Sequence, residues 1–129
     1  MIVDSSVLVA IVLGESDAEA LLTRLTSHEQ PVRVSAVSLV ESSIVVEARQ
    51  GPDAARDLQL LLTGVGAEVI PVTEDQAVLA VAAWRRFGKG RHPAALNLGD
   101  CFTYTLARAV DEAMLFKGED FAQTDVSTL

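Results

Sequence analysis

Met1-Ile2-Val3-Asp4-Ser5-Ser6-Val7-Leu8-Val9 opens the chain, and the place of its single charge decides the fold. Met1–Val3 reads as a short buried strand and Ser5–Leu13 as a helix packed directly after it. A carboxylate inside this apolar frame either lies at the carboxyl edge of a sheet or is buried at a cost of several kcal/mol. The first alternative describes a strand feeding straight into a crossover helix, the unit of parallel α/β sheets.

The rest of the chain repeats that alternation. Ser16 and Glu19 have the spacing of a capping box and predict a helix to about Ser27, with Ala18, Leu21, Leu22 and Leu25 at helical spacing. Val32–Ser35 reads as a second strand. A third helix covers Val37 to Gln50, strongly apolar and so mostly buried, closed by Gly51. Pro52 starts the next, which runs over Asp53–Thr63. Glu68–Val72 is a third strand, and Thr73 with Gln76 opens a helix to Phe87. Gly88–Ala95 is a loop, and Asn97 caps a helix carrying Asp100 through Val110. Ala113–Phe116 is a fourth strand, followed by an irregular tail with room for an edge strand. The expected fold is a three-layer α/β/α sandwich around a central, mostly parallel sheet of four to five strands. In such sheets ligands bind beyond the carboxyl ends of the strands.

The 129 residues suit one domain spanning 1–129, and half of them are apolar, enough for one sizeable core. Eighteen acidic against ten basic residues give a net charge of −8, which by itself argues against a nucleic-acid partner, since polyphosphate repels an acidic surface, and against a basic membrane-surface protein. The run Val7–Leu13 is too short to span a bilayer and no basic stretch precedes it, so no membrane or secretory segment is expected. The lone Cys101 excludes an internal disulfide and fits a reducing, cytoplasmic setting.

Most acidic residues have ordinary roles. Asp17, Glu19, Asp53, Glu74 and Asp75 sit in first helical turns, and Asp111 and Glu112 read as solvated turn residues. Four stand apart: Asp4 after the first strand, Glu41 one turn into the helix after the second, Asp100 in the first turn after Asn97-Leu98-Gly99, and Asp120 beyond the fourth strand. Singly, each has a structural reading, as a cap for Asp4, a capping box with Ser38 for Glu41 or with Asn97 for Asp100, and a surface turn for Asp120. Together they can converge on one rim of the sheet. Clustered carboxylates need a counter-charge, and a hard divalent cation with oxygen ligands, Mg²⁺ or Mn²⁺, supplies it.

The opening Met1–Ser6, the apolar helix with Glu41, Leu96-Asn97-Leu98-Gly99-Asp100-Cys101 and Leu115-Phe116-Lys117-Gly118-Glu119-Asp120-Phe121 resemble PIN-domain ribonucleases. More narrowly they resemble the VapC toxins of bacterial toxin–antitoxin pairs, over essentially the whole chain and with the acidic motifs in order. The resemblance implies a Mg²⁺- or Mn²⁺-dependent endoribonuclease that cleaves structured RNA, tRNA or rRNA, by metal-activated attack of water on a phosphodiester. It makes Asp4, Glu41, Asp100 and Asp120 the catalytic acidic pocket and metal site, with Asp4 and Asp100 the most direct ligands. Glu119, Asp120 and Asp125 lie close together, and Asp120 takes the fourth place because it precedes Phe121 as in the family pattern. Ser6 matches the family's hydroxyl residue near the first Asp, orienting Asp4 or a bound water. The resemblance also implies a VapB-type antitoxin partner and a homodimer.

Four of the ten basic residues fall within seven positions, Arg85, Arg86, Lys89 and Arg91, followed by His92. Arg85 and Arg86 can complement a helix C-terminus, but the loop that follows leads back to Asp100 and suits phosphate contact, with Gly88 and Gly90 allowing close approach of its backbone. Cys101 reads as a buried small residue, Trp84 as core or dimer interface, and Ser42 and Ser43 as helix-packing residues. Two other classes remain in view. A receiver-like signalling domain needs an Asp after the third strand, where the chain reads Val69-Ile70-Pro71. A non-catalytic module would use the acidic rim only to dock a basic partner.

Overall fold

The computed structural model describes residues Met1–Leu129. The elements run β1 (Ile2–Val3), α1 (Ser5–Leu13), α2 (Ala18–Ser27), β2 (Arg33–Ser35), α3 (Ala36–Gln50), α4 (Pro52–Gly64), β3 (Glu68–Ile70), α5 (Glu74–Phe87), α6 (Leu98–Val110) and β4 (Met114–Leu115), with a 3-10 turn at Phe121–Gln123. The four strands form one sheet in the order β3-β2-β1-β4, and every pairing is parallel. The tail adds an isolated parallel bridge, Met114 to Thr128, rather than a fifth strand.

Strand alternation divides the core. Successive strand residues point to opposite faces. Val3, Val34 and Leu115 face one layer with Val7, Leu8, Leu21, Leu25, Val46, Leu58 and Leu62. Ile2 and Met114 face the other, with Ala80, Phe87, Cys101, Tyr104 and Leu106. The chain crosses from β1 through β2 to β3, then returns past β1 to lay down β4 on its far side. The carboxyl end of β1 is therefore the switch point of the sheet, where such folds bind ligands. No helix is long and apolar enough to cross a membrane.

Local signals behave as expected at most boundaries. Gly51 joins α3 to α4 at φ 82°, and Thr73 accepts the Gln76 N–H at 3.2 Å. The Ser16–Glu19 capping box does not form. The helix starts at Ala18 with Asp17 at its N-cap and no side-chain cap bond. The segment before α2 is held instead by Lys117, whose ammonium pairs with Asp17 (3.0 Å) and Glu15 (2.5 Å) from the end of β4. Glu112 is likewise no solvated turn residue. It accepts from the Met1 amine at 2.5 Å and pairs with Arg33, clamping the amino edge of three neighbouring strands. Burial pushes its carboxyl up, but these two cations hold it below the usual value.

The apolar helix α3 is less buried than its composition predicts. Its buried stripe is Ser38, Ser42 and Val46, while Val40 and Ile44 are 57% and 63% exposed. The serines satisfy themselves locally: Ser42 Oγ donates to the Ser38 carbonyl and Ser43 Oγ to that of Leu39, both at 2.7 Å.

Leu58 is fully buried in the core on the α4 side, remote from the carboxyl edge of the sheet. Leu58→Ala is expected to lower unfolding free energy by about 2–5 kcal/mol in urea titration.

Candidate active site

Asp4 follows β1 directly. Its backbone N–H donates to Leu115 O at 3.0 Å, continuing the β1–β4 ladder, and its side chain caps α1. Oδ2 accepts the Ser6 N–H and Oδ1 accepts the Thr103 hydroxyl, both at 3.0 Å. The residue is 3% exposed, so these donors replace most of its lost hydration. The Ser6 hydroxyl is engaged elsewhere, accepting the Lys117 N–H at 3.0 Å; it is Ser6's backbone that orients Asp4.

Glu41 projects from the second turn of α3 and lies against Gly99 at the start of α6. A methyl group at position 99 would fall 1.9 Å from Glu41 Oε1, so glycine there is a condition of the carboxylate's place. The expected capping box with Ser38 is absent: Ser35 caps α3 through the Val37 N–H, and Ser38 pairs with Thr103 instead. Burial lifts the Glu41 carboxyl above its ordinary value, the charge on Asp4 adds to this, and the Ser5 side chain opposes it.

Asp100 keeps its structural role alongside any other. Its Oδ2 accepts the Asn97 N–H at 3.0 Å while Asn97 Oδ1 accepts the Asp100 N–H at 2.9 Å, a complete capping box. Burial pushes its carboxyl up to about 7 against the hydrogen bond from Asn97, and the charges of Asp4, Asp120 and Glu41 push the same way. Asp120 is exposed, at the entry to the 3-10 turn. Of the three candidates for the fourth position, Asp125 accepts from Tyr104 Oη at 2.6 Å and Arg86 at 3.2 Å, and Glu119 is exposed. Asp120 is the one whose charge acts on Asp100.

Strands β1, β2 and β4 and the cap of α6 thus bring Asp4, Glu41 and Asp120 within electrostatic reach of Asp100, and no ion pair neutralises any of the four. The all-oxygen donor set suits a hard divalent cation. No three of the acids stand close enough to ligate one ion together. One or two carboxylates plus retained water, the usual coordination of Mg²⁺, is compatible with that spacing.

The basic segment is braced. Arg91 Nε donates to the Arg85 carbonyl at 3.0 Å, capping α5, and its guanidinium lies 4.9 Å from the Trp84 ring centre. Arg86 pairs with Asp125 and packs over Phe87, and His92 Nδ1 accepts the Ala94 N–H with its ring edge-on to Phe87. Arg85 and Lys89 are exposed without an acidic partner. Gly88 serves packing: a Cβ there would strike Trp84 at 2.3 Å. Gly90 serves the turn, at φ 83°. Trp84 itself is 43% exposed rather than core. An apolar hollow of about 470 Å³ between α5 and α6 is lined by Trp84, Leu96, Leu98 and Phe102 among others, and none of the four acids lines it. Cys101 is buried, its thiol pushed up to about 11 by burial and the Asp100 charge, which suits packing and not nucleophilic attack.

Thr103 belongs to the site and lies outside every segment quoted from the sequence, whereas Ser5 and Gly99 stand inside quoted segments with no role of their own assigned there. The signal for Thr103 and Gly99 is helical periodicity around Asp100: they lie four apart on one face of α6.

The PIN domain family model matches residues 1–127. A Ribonuclease VapC from Mycolicibacterium smegmatis is 45% identical over 130 residues, covering 100% of this chain and 99% of the relative. The crystal structure of Mycobacterium tuberculosis VapC20, described as a sarcin–ricin loop cleaving toxin, superposes with a TM-score of 0.80 at 19% identity, covering 94% of this chain and 92% of that one. A toxin–antitoxin complex from Klebsiella pneumoniae superposes with a TM-score of 0.72 at 16% identity, covering 99% and 94%.

The raised Asp100 carboxyl has a consequence for the protein in EDTA. The unfolded chain loses this proton near pH 4 and the folded one near pH 7, so the group's stabilising contribution is complete below about pH 4 and gone above about pH 7. Asp100→Asn, which keeps an acceptor for the Asn97 N–H, is expected to be more stable than wild type by about 1 kcal/mol at pH 8, a figure discounted for solvent screening, and to lose that advantage at pH 4. Thermal melts in EDTA at the two pH values measure the difference.

Proposed function

The chain belongs to the PIN-domain family and, within it, to the VapC ribonucleases, and on that premise we propose that it is a Mg²⁺- or Mn²⁺-dependent endoribonuclease toxin acting on structured RNA, tRNA or rRNA. The observation that carries the reading is the set of four unneutralised carboxylates at the switch point of the sheet, three of which raise the fourth, Asp100. Asp4 and Asp100 would hold the ion, with Glu41 and Asp120 completing the pocket. When bound, a divalent ion makes water a stronger acid and offsets negative charge on a departing oxygen.

The chain's own groups supply the rest. Two donors fix the Asp4 carboxylate in its buried place. The Asn97 N–H occupies Oδ2 of Asp100 and leaves Oδ1 open. Glu41, whose proton affinity is raised by burial, is suited to take the proton of the attacking water. Cleavage of the phosphodiester then releases a 3′ hydroxyl and a 5′ phosphate. Lys89 and Arg85, free of acidic partners, with Arg91, Arg86 and His92 braced behind them, form the phosphate-contacting arm. An acidic chain binds RNA in this way through a local cationic segment, against the sign of its total charge.

A VapB-type antitoxin is the proposed partner, supported by the fold likeness to a toxin from a solved toxin–antitoxin complex. Exposed Val78, Val81 and Trp84 on α5 support a further protein contact, a homodimer. The proposed site of action is the cytoplasm.

Incubation of the purified protein with total tRNA and rRNA is expected to give discrete, Mg²⁺- or Mn²⁺-dependent cuts that vanish in EDTA. Asp4→Ala and Asp100→Ala should each lose on the order of 100-fold in rate. Undiminished cleavage by either variant would falsify the metal-pocket assignment, and failure to cut any RNA would favour the non-catalytic docking module. Lys89→Glu should weaken RNA binding severalfold in filter assays while Mn²⁺ affinity stays at the wild-type value. Equal loss of both would make the loop a structural element only.

A further inference from the structure

We infer that Ser38 and Thr103 form a buried hydroxyl relay that positions the Asp4 carboxylate for metal binding, making Thr103 a positioning residue of the reaction. The inference rests on the metal-dependent reading above and extends it to residues outside the acidic set.

The geometry carries it. Thr103 Oγ1 lies 3.0 Å from Asp4 Oδ1 and 3.1 Å from Ser38 Oγ. Both hydroxyl residues are fully buried, and Asp4 is 3% exposed. A hydroxyl has one hydrogen to give. A carboxylate only accepts, so the Thr103 hydrogen goes to Asp4, and the Ser38 hydrogen goes to Thr103. The other acceptor near Thr103, the Gly99 carbonyl, is farther away at 3.4 Å. Ser38 therefore fills the accepting side of Thr103 and directs its one proton toward Asp4.

The arrangement spans three elements. Asp4 ends β1, Ser38 lies in the first turn of α3 and Thr103 in the second turn of α6. With the Ser6 N–H on Oδ2 and the Thr103 hydroxyl on Oδ1, both oxygens are pinned and the plane of the carboxylate is set. Donors to a ligating carboxylate orient it, and their loss typically costs 10–100-fold in metal affinity or activity. Buried serine and threonine could serve helix packing alone. Packing needs their volume; the relay needs their hydroxyls, and isosteric substitution separates the two.

The experiment uses the full chain. Mn²⁺ binding is measured by titration calorimetry for wild type, Thr103→Val, Thr103→Ser, Ser38→Ala and Asp4→Ala, with thermal melts in EDTA and tRNA cleavage at saturating Mn²⁺. Thr103→Val is expected to weaken Mn²⁺ binding at least 10-fold, and Thr103→Ser to recover it to within about threefold of wild type. Ser38→Ala, which leaves the Thr103 hydroxyl in place but undirected, is expected to weaken binding about threefold. If Thr103→Val fails to fold, Thr103→Ser and Ser38→Ala still decide the matter, and wild-type affinity in Ser38→Ala then overturns the relay. Unchanged Mn²⁺ affinity in a folded Thr103→Val overturns it directly, whatever its melting temperature. Asp4→Ala separates the two levels. Wild-type affinity in Asp4→Ala removes the metal-site reading itself, whereas loss there with no change in Thr103→Val removes the relay alone.

Discussion

A carboxylate buried at the end of the central strand is the constraint around which this molecule is arranged. Asp4 has no cation beside it, and burial of an ionised group without compensation costs several kcal/mol. The fold compensates it with a backbone N–H from the helix that follows and a hydroxyl from a helix nearly one hundred residues later in the chain. Sheet order then determines what else comes near. Because every strand is parallel, their carboxyl ends share one edge, and because β4 returns to the far side of β1, that edge opens where Asp4 stands.

The remaining acids feel this anion. Glu41 and Asp100 are both raised by burial and by the Asp4 charge, so the pocket stores electrostatic repulsion that a cation can relieve. Asp100 also closes the capping box of α6. That structural role uses one oxygen of the side chain, Oδ2. The basic loop follows a similar economy: Arg91 and Arg86 brace helix ends and rings, which leaves Lys89 and Arg85 presented from a fixed scaffold.

The elements and the acids were legible in the sequence because their signals are local. Gly51-Pro52, Thr73 with Gln76, and Asn97 with Asp100 act within a few residues, and the structure reproduces each boundary to within a residue or two. What escaped the sequence acts over long separations. Ser38 and Thr103 are 65 residues apart, and nothing near Ser38 announces that its hydroxyl turns away from Glu41. Lys117 pairs with Glu15 and Asp17 across about 100 residues, and no local pattern around the start of α2 signals it. Hydropathy alone predicts a mostly buried α3, yet Val40 and Ile44 are exposed and its side toward α6 carries Ser38 against Thr103 and Glu41 against Gly99.

That contact has a mechanical meaning. Two rungs join α3 to α6, Ser38 with Thr103 and Glu41 against Gly99. One side of each rung is small, a serine facing a threonine and a glycine facing a carboxylate. Beside Asp100 the wall of the pocket is bare backbone, because position 99 carries no side chain where the Glu41 carboxylate lies. A side chain added at position 99 would claim the space that the Glu41 carboxylate now fills and turn that flexible arm away from Asp100, so an uncharged residue decides where a charged one stands.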